Sequence, residues 1–277
     1  MSVGLIVGIL VAAVALALGA LALARRMEGG WWTDSGRAAG VLGAARGPFA
    51  VILAFVIFVA FQGYTDARHD AEQEASATRR LYKETDLLPH LTMVQVEADL
   101  VCYARGVVAL DWPAMHGGGS SEDVDDIAAV LDDQLNQVHA SGVRGPAIDS
   151  FFADSAVRDE ARSNRIADSE EEVPAPVWII LIVGALVVLG YVVLFADPAE
   201  RFFSQAVMVS SVTIVIVGGL ILVSFLSHPF RNAMGGIKPT AMERTLHEIQ
   251  TDPSFARESS LPLTCDQDGR PDTSATS

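Results

Sequence analysis

Four long stretches of the chain contain no Asp, Glu, Lys or Arg, and they separate apolar from polar parts of the sequence. They cover residues 2–24, 47–65, 173–196 and 202–230. A helix needs roughly 20 apolar residues to cross a hydrocarbon core. The pattern therefore predicts four transmembrane helices. We expect the first to be retained, because Arg25 and Arg26 follow its apolar run and no basic residue precedes it.

The first span carries small residues four positions apart, at Gly4, Gly8 and Ala12. Such a row lets another helix backbone approach closely, and close packing is what drives helix association in lipid. Spans rich in Ala and Gly also show such rows through composition alone. Gly4 and Gly8 are thus candidate packing positions, with a lipid-facing surface as the alternative.

The polar segment that follows the second span has a helical pattern. Ala67, Ala71 and Ala75 recur at every fourth position, and Leu81 or Tyr82 extends the same stripe. Residues 64–88 contain neither Gly nor Pro, so this helix is predicted to continue directly from the second span. Further helices are predicted at about 92–110, ending at Trp112 and Pro113, at about 120–138, and at about 147–168.

Charge is concentrated in this polar segment. Residues 64–172 contain nine Lys or Arg and 23 Asp or Glu, a net charge of 9 − 23 = −14 out of −15 for the whole chain. A field of this sign attracts cations and repels nucleic acid. The four apolar stretches contain no Asp, Glu, Lys, Arg or His except His228, at the end of the fourth, which argues against a proton relay within the membrane.

No sequence motif supports an enzyme or a cofactor site. The chain lacks GxSxG, HExxH, a phosphate-binding loop and CxxC. Cys102 and Cys265 are far apart in sequence and imply neither a disulfide framework nor a zinc site. We expect an all-α membrane protein with a polar helical domain between spans two and three. The expected divisions are 1–63, 64–172, 173–230, a juxtamembrane segment at 231–250 and a disordered tail at 251–277.

Four segments resemble the bacterial bestrophin-like membrane proteins. They read YTDARHDAEQEASATRRLYKETDLLP, YARGVVALDWPAM, PAPVWIILIVG and HPFRNAMGGIKPTAMERTL. The resemblance extends from the first span to about Leu246, although the family usually has Asp-Arg where this chain has Ser227 and His228. The positions similar to the family's motifs are Glu74, Ala75, Leu81, Tyr82, Tyr103, Ala104, Arg105, Asp111, Trp112, Pro113, Pro229 and Phe230.

This resemblance implies an ion channel assembled from several copies of the chain in a lipid bilayer. If the second span lines the pore, Asp66, Asp70 and Glu74 share one helix face just beyond the membrane, and each forms a ring of charge in a symmetric oligomer. Such rings favour inorganic cations, in contrast to the anion preference of animal bestrophins. The alternative is a membrane-anchored sensor or scaffold whose acidic helices bind a partner.

The basic residues near the spans and the family resemblance favour opposite orientations in the membrane. The loops after spans one and three contain five arginines, whereas the opposite side has ten basic residues over a longer stretch. The first-loop arginines favour an external polar domain. The resemblance implies a cytoplasmic one, and we expect the polar domain and both termini in the cytoplasm of a cell-membrane protein.

Two residues of the polar segment carry specific structural expectations. Trp112 closes a helix and is expected to be a buried anchor. Arg105 lies among acids such as Glu97, Asp99 and Asp111 and is expected to pair with a carboxylate.

Overall fold

The chain folds into helices. The computed structural model describes residues 3–26, 35–88, 90–140, 142, 144–170, 173–194, 201–233, 235–252 and 263–271. The regular elements of these residues are helical apart from an isolated β-bridge between Cys265 and Pro271. The all-α prediction is confirmed for this part of the chain. Its α-helices are α1 (Val3–Arg26), α2 (Ser35–Glu84), α3 (His90–Gly106), α4 (Trp112–Met115), α5 (Glu122–Ala140), α6 (Pro146–Ala167), α7 (Ala175–Leu194), α8 (Phe202–Leu226) and α9 (Thr240–Thr251).

The chain divides into two compact units. The membrane unit comprises Met1–Tyr64 and Glu172–His228, and the polar unit comprises Thr65–Glu171 and Pro229–Ser277. The predicted juxtamembrane segment 231–250 belongs to the polar unit, because α9 buries Met242 and Ile249 in that unit's apolar clusters.

The membrane unit contains the predicted apolar spans. Among the described residues, four helices are long and apolar enough to cross a membrane, and they lie in α1, α2, α7 and α8. One apolar cluster joins Phe49 and Leu53 of α2 to α7 and α8. A second cluster joins Leu21 of α1 to Val193 of α7 and Val209 of α8. The helix α8 therefore contributes to both clusters.

Two glycines allow α2 to approach its neighbours within this unit. A Cβ atom at Gly184 of α7 would lie 2.5 Å from Cδ2 of Phe49, and one at Gly219 of α8 would lie 3.0 Å from Cδ2 of Leu53. By contrast, a Cβ atom at Gly4 or Gly8 would meet no described atom within 4 Å. Packing among the described helices of the membrane unit thus uses Gly184 and Gly219, and the packing role of Gly4 and Gly8 stays a prediction.

The polar unit is built around the alanine stripe of α2. Ala67, Ala71 and Ala75 are buried against α3 and α5. Further along α2, Leu81 and Tyr82 pack with apolar residues from α3, α5, α6 and α9. The predicted continuation of α2 beyond the second span is confirmed, since the helix ends at Glu84.

The helix that begins with α3 extends further than expected. A π-helical turn at Val107–Asp111 connects it to α4, which contains Pro113 and ends at Met115. Proline's ring conflicts with the carbonyl four residues earlier, and a π turn widens the helix at that point. The helix thus passes through Trp112 and Pro113. Trp112 is buried as predicted, and its Nε1 donates a hydrogen bond to the Ile237 carbonyl.

The C-terminal part of the polar unit corrects two expectations. Cys102 of α3 and Cys265 form a disulfide, although their separation in sequence gave no indication of one. Residues 263–271, which we call the C-terminal strap, lie on α3 and contribute Leu263 and Cys265 to the apolar clusters. The predicted disordered tail is therefore wrong for 263–271, because the disulfide and these contacts fix it. Residues 253–262 and 272–277 lie outside the described residues.

We expect Gly184→Leu to destabilise the membrane unit, because the new side chain collides with the buried Phe49 ring. Overpacking of this kind typically costs about 1–3 kcal/mol. The matched control is Gly190→Leu in the same helix, where a Cβ atom meets nothing within 4 Å. The free energy of unfolding of both variants in detergent checks this. Equal stability of the two would contradict the packing described.

Candidate functional site: a buried arginine and carboxylate cluster beside exposed acids of α2

Three arginines of α6 enter the interior of the polar unit. Arg158, Arg162 and Arg165 are spaced by four and three residues, which places them on one face of the helix. All three are buried, with at most 7% of the residue exposed. Burying a guanidinium is costly unless carboxylates and hydrogen bonds compensate its charge. The partners of these arginines therefore decide whether α6 can occupy this position.

Arg165 is held between two fully buried carboxylates. Its Nε and Nη2 donate to the two oxygens of Glu74 from α2, the second at 3.0 Å. Nη2 also donates to Oδ2 of Asp111 in the π turn, at 2.9 Å. The remaining Nη1 lies 2.8 Å from Sδ of Met115. Every nitrogen of this guanidinium is thus engaged, and the contacts join α2, the π turn and α6.

The other two arginines connect α6 to α5. Arg162 donates to Asp111 at 2.7 Å and to Asp125 at 2.5 Å. Arg158 donates to Asp132 at 2.6 Å and also pairs with its neighbour Asp159. The side chains of Asp125, Asp132 and Asp159 are 42–50% exposed, so these pairs link the buried cluster to solvent.

Aromatic rings line the cluster. The guanidinium carbons of Arg158 and Arg162 lie 5.1 and 5.7 Å from the ring centroid of Tyr103, and that of Arg165 lies 5.2 Å from Trp112. Phe230 packs edge-on against Trp112 at 5.5 Å between centroids. Cations over aromatic faces are attracted by the ring quadrupole, most strongly where water is excluded. The family-motif residues Tyr103 and Trp112 therefore lie against the arginines, and Phe230 packs on Trp112.

Two groups of the cluster, Arg165 and Tyr103, have raised pKa values. Burial acts to lower the pKa of Arg165, but the charges and hydrogen bonds of Glu74 and Asp111 outweigh it, so the net shift is upward. Burial, followed by the negative charge of Glu74, raises the pKa of the Tyr103 hydroxyl. This hydroxyl donates a hydrogen bond to Oε1 of Glu74 at 2.5 Å. Arg165 therefore stays charged and Tyr103 neutral near neutral pH, so neither of these two groups relays protons there. The arrangement is suited to holding helices in register.

The sequence-predicted site residues separate into different environments. Asp66 is exposed and Asp70 is half-buried, whereas Glu74 is fully buried in the ion cluster. Glu74 is therefore wrong as a member of a solvent-facing charge ring, because Arg165 and Tyr103 enclose its carboxylate. Three other predicted motif residues, Ala75, Leu81 and Pro229, are buried, and Pro113 is exposed.

The prediction for Arg105 is also wrong. Its Nη1 donates to the backbone carbonyl of Asp266 in the C-terminal strap, at 3.1 Å. Within the described part of the chain, no carboxylate lies in ion-pair distance of it. The expected partners are engaged elsewhere: Glu97 with Thr85, Asp99 with Gln134 and Thr264, and Asp111 with Arg162 and Arg165.

Sequence reasoning missed the three arginines of α6 and their acidic partners. The available signal was their spacing, which puts three cations on one face of a helix in a strongly acidic segment. Spacing shows a shared face but does not tell whether that face is buried. Burial followed only from the positions of Glu74 and Asp111, which are distant in sequence.

Asp168, the residue that follows α6, is an acidic neighbour of Asp66 and Asp70 of α2. The charges of Asp70 and Asp168 influence each other across this part of the polar unit. Burial and then the negative charge of Asp70 raise the pKa of Asp168 to about 6. The described residues contain no group of three or more His, Cys, Asp or Glu arranged to hold a metal ion.

Comparison with known proteins places the chain in a family. A model described as Bestrophin-like domain matches residues 11–242. Two solved structures of a bacterial bestrophin homologue from Klebsiella pneumoniae, one of a mutant and one solved by zinc phasing, have TM-scores of 0.69 and 0.68 at 13% identity. They match 88% and 91% of this chain and 99% of their own. No curated protein sequence matches.

The fold and the apolar spans define a helical membrane protein, and the family match covers most of its length. The chain belongs to the bestrophin-like family. The resemblance expected from the sequence motifs is confirmed, and at this low identity the solved structures show the shared fold alone.

We expect Glu74→Gln to destabilise the polar unit strongly. The substitution removes one of the two carboxylates that compensate Arg165, and breaking a buried ion pair typically costs roughly 3–5 kcal/mol. The matched control is Glu72→Gln in the same helix, where an exposed pair with Arg68 contributes about 0–1 kcal/mol. Denaturant unfolding of the full chain in detergent measures both. A small, equal effect would show that the cluster does not hold α2 and α6 together.

The raised pKa of Asp168 predicts that the stability of the fold depends on pH. Because its pKa is raised in the folded state, the ionised carboxylate destabilises the fold above about pH 6, and this penalty disappears below its unfolded pKa of 3.8. Asp168→Asn should therefore stabilise the protein at pH 7–8 and have no such effect below pH 4. Unfolding measured across this range checks the sign, with Asp149→Asn, an exposed acid of α6, as the control. A gain that does not depend on pH would contradict the assignment.

Proposed function

We propose that the chain is the subunit of a homo-oligomeric ion channel and that α2 of each subunit lines the pore. Membership of the bestrophin-like family carries this proposal, since the resemblance to bestrophins implies ion conduction. The continuity of α2 from Ser35 to Glu84 supports it, because one helix contains both the second apolar span and the acids that follow it. An enzyme finds no support in the family or in the described residues.

The proposed channel favours cations. Asp66 and Asp70 lie one helical turn apart on α2, and Asp168 adds a third acid beside Asp70. In a symmetric oligomer each of these acids becomes a ring of negative charge, which concentrates cations and repels anions. Glu74 is excluded from this set, since its charge is compensated internally by Arg165. The net charge of −14 in residues 64–172 acts in the same direction.

Assembly is proposed to involve the first span. Gly4 and Gly8 lie on exposed positions of α1 and have open space where a Cβ atom would be. A face of small residues with no neighbour in its own subunit is suited to close approach by a helix of another subunit.

A measurement of ion selectivity tests the proposed rings of acidic residues. Asp66→Asn combined with Asp70→Asn should shift the reversal potential in a salt gradient toward that of anions. The shift should fade near 1 M salt, where the Debye length falls to about 3 Å. The control is Glu72→Gln, which removes an exposed charge from another face of α2 and should leave the potential unchanged.

Two outcomes would contradict the proposal. One concerns the acids of α2, and the other concerns ion conduction itself. Unchanged selectivity in a conducting, assembled double variant would leave Asp66 and Asp70 as surface residues. Absence of ion flux from liposomes that contain well-folded wild-type oligomers would instead favour the sensor or scaffold.

A further inference from the structure

The disulfide fastens the C-terminal strap to α3. The Cα atoms of Cys102 and Cys265 lie 5.7 Å apart, and both cysteines are buried. They are the two cysteines of the chain, so no thiol remains to exchange with the pair. A buried pair with no CxxC motif and no third cysteine has the features of a structural disulfide.

Contacts other than the disulfide hold the strap in the same place. Thr264 donates to Oδ1 of Asp99 at 3.0 Å, and Arg105 donates to the Asp266 carbonyl at 3.1 Å. Gly269, at φ +81°, approaches the backbone so closely that a Cβ atom there would lie 2.3 Å from the nitrogen of Gly106. The strap is thus a fitted part of the polar unit, and its fit brings the two sulfur atoms together.

The strap also folds on itself through Asp266. The Asp266 carboxylate accepts the backbone N–H groups of Asp268 and Arg270 at 2.9 and 2.8 Å, and the Asp266 N–H donates to the Arg270 carbonyl at 3.0 Å. This turn places Pro271 opposite Cys265 in the β-bridge. These hydrogen bonds and the bridge hold the turn that follows Cys265.

The redox chemistry of this pair constrains the side of the membrane. Structural disulfides persist outside the cytosol, in the bacterial periplasm or at the cell exterior, whereas cytosolic thiols are kept reduced. Residues 65–171 and 229–277 form one compact unit, so the compartment that contains Cys102 and Cys265 contains that whole unit.

The arginines of the short loops point in the same direction. With four crossings, the connections after spans one and three lie on the side opposite the polar unit. They carry Arg25, Arg26, Arg37, Arg46 and Arg201. The positive-inside rule applies to short loops, since long domains are translocated largely regardless of charge. The other side has ten basic residues near span ends, but they lie within the long segments that form the polar unit. They are Arg68, Arg79, Arg80, Lys83, Arg158, Arg162, Arg165, Arg231, Lys238 and Arg244.

We propose that the polar unit faces the oxidising side of the membrane, where the Cys102–Cys265 disulfide forms and secures the strap to α3. The short arginine-containing loops then face the cytoplasm. This arrangement is the reverse of the one implied by the resemblance to bestrophins. It does not rest on ion conduction, because both observations that carry it are independent of a pore.

Thiol trapping in intact cells tests the disulfide. Cells expressing the full chain are quenched with acid and N-ethylmaleimide, which blocks free thiols, and are then denatured, reduced and treated with a polyethylene glycol maleimide. We expect two adducts per chain after reduction and none before it. Cys102→Ser is the control, since its remaining thiol is blocked at the first step and gives no adduct. No adducts from the wild-type chain after reduction would show free thiols in the cell and overturn the proposal.

Labelling from outside the cell tests the orientation. Gly119→Cys places a thiol in the loop between α4 and α5, where a Cβ atom meets nothing within 4 Å. Thr33→Cys places one between spans one and two. Both are made in the otherwise unchanged chain, whose own cysteines are paired. A membrane-impermeant maleimide should label Gly119→Cys in intact cells. It should label Thr33→Cys only once the cells have been permeabilised. The opposite pattern would overturn the proposal even if the chain conducts ions.

Discussion

The polar unit depends on the guanidinium of Arg165, which two buried carboxylates share. Glu74, Asp111 and Arg165 come from three helical segments that are far apart in sequence, and they meet where water is excluded. A buried charge without its partner is strongly unfavourable. Any packing of α6 that separates Arg165 from either acid therefore leaves a charge uncompensated. Apolar contacts alone, which have little directionality, would tolerate several such arrangements.

This constraint explains why the side chains of α2 lie in different environments. Ala67, Ala71 and Ala75 provide a smooth face against α3 and α5, and Glu74 adds one charged contact to the buried side of the helix. Asp66 and Asp70 lie earlier on the helix and are not enclosed by arginines. One helix thus carries an acid whose charge is compensated by Arg165 and two acids that lie outside the arginine cluster. The aromatic residues of the family motifs contribute to the internal charge compensation, because Tyr103 and Trp112 lie against the arginines.

The disulfide acts on the same part of the fold from another direction. It joins positions 163 residues apart and holds the strap on α3, immediately before the π turn that presents Asp111 to the arginines. A cross-link between such distant positions restricts the unfolded chain and stabilises the fold by about 5 kcal/mol in the chain-entropy description of long loops. The ion cluster and the disulfide together define the end of α3, the first through charge and the second through a covalent bond.

The sequence by itself determined the helical class, the four apolar spans, the continuation of α2 and the buried position of Trp112. Each of these follows from local periodicity or from the absence of charge, which act over one helix at a time. It did not determine which charges are buried. Glu74 shares its helical spacing with Asp66 and Asp70, and only the packing of α6 against α2 separates it from them. The same holds for Arg105, whose expected carboxylates are engaged by other groups, and for Cys102 and Cys265. Contacts between residues distant in sequence depend on the tertiary arrangement of helices, because no local pattern records which faces meet.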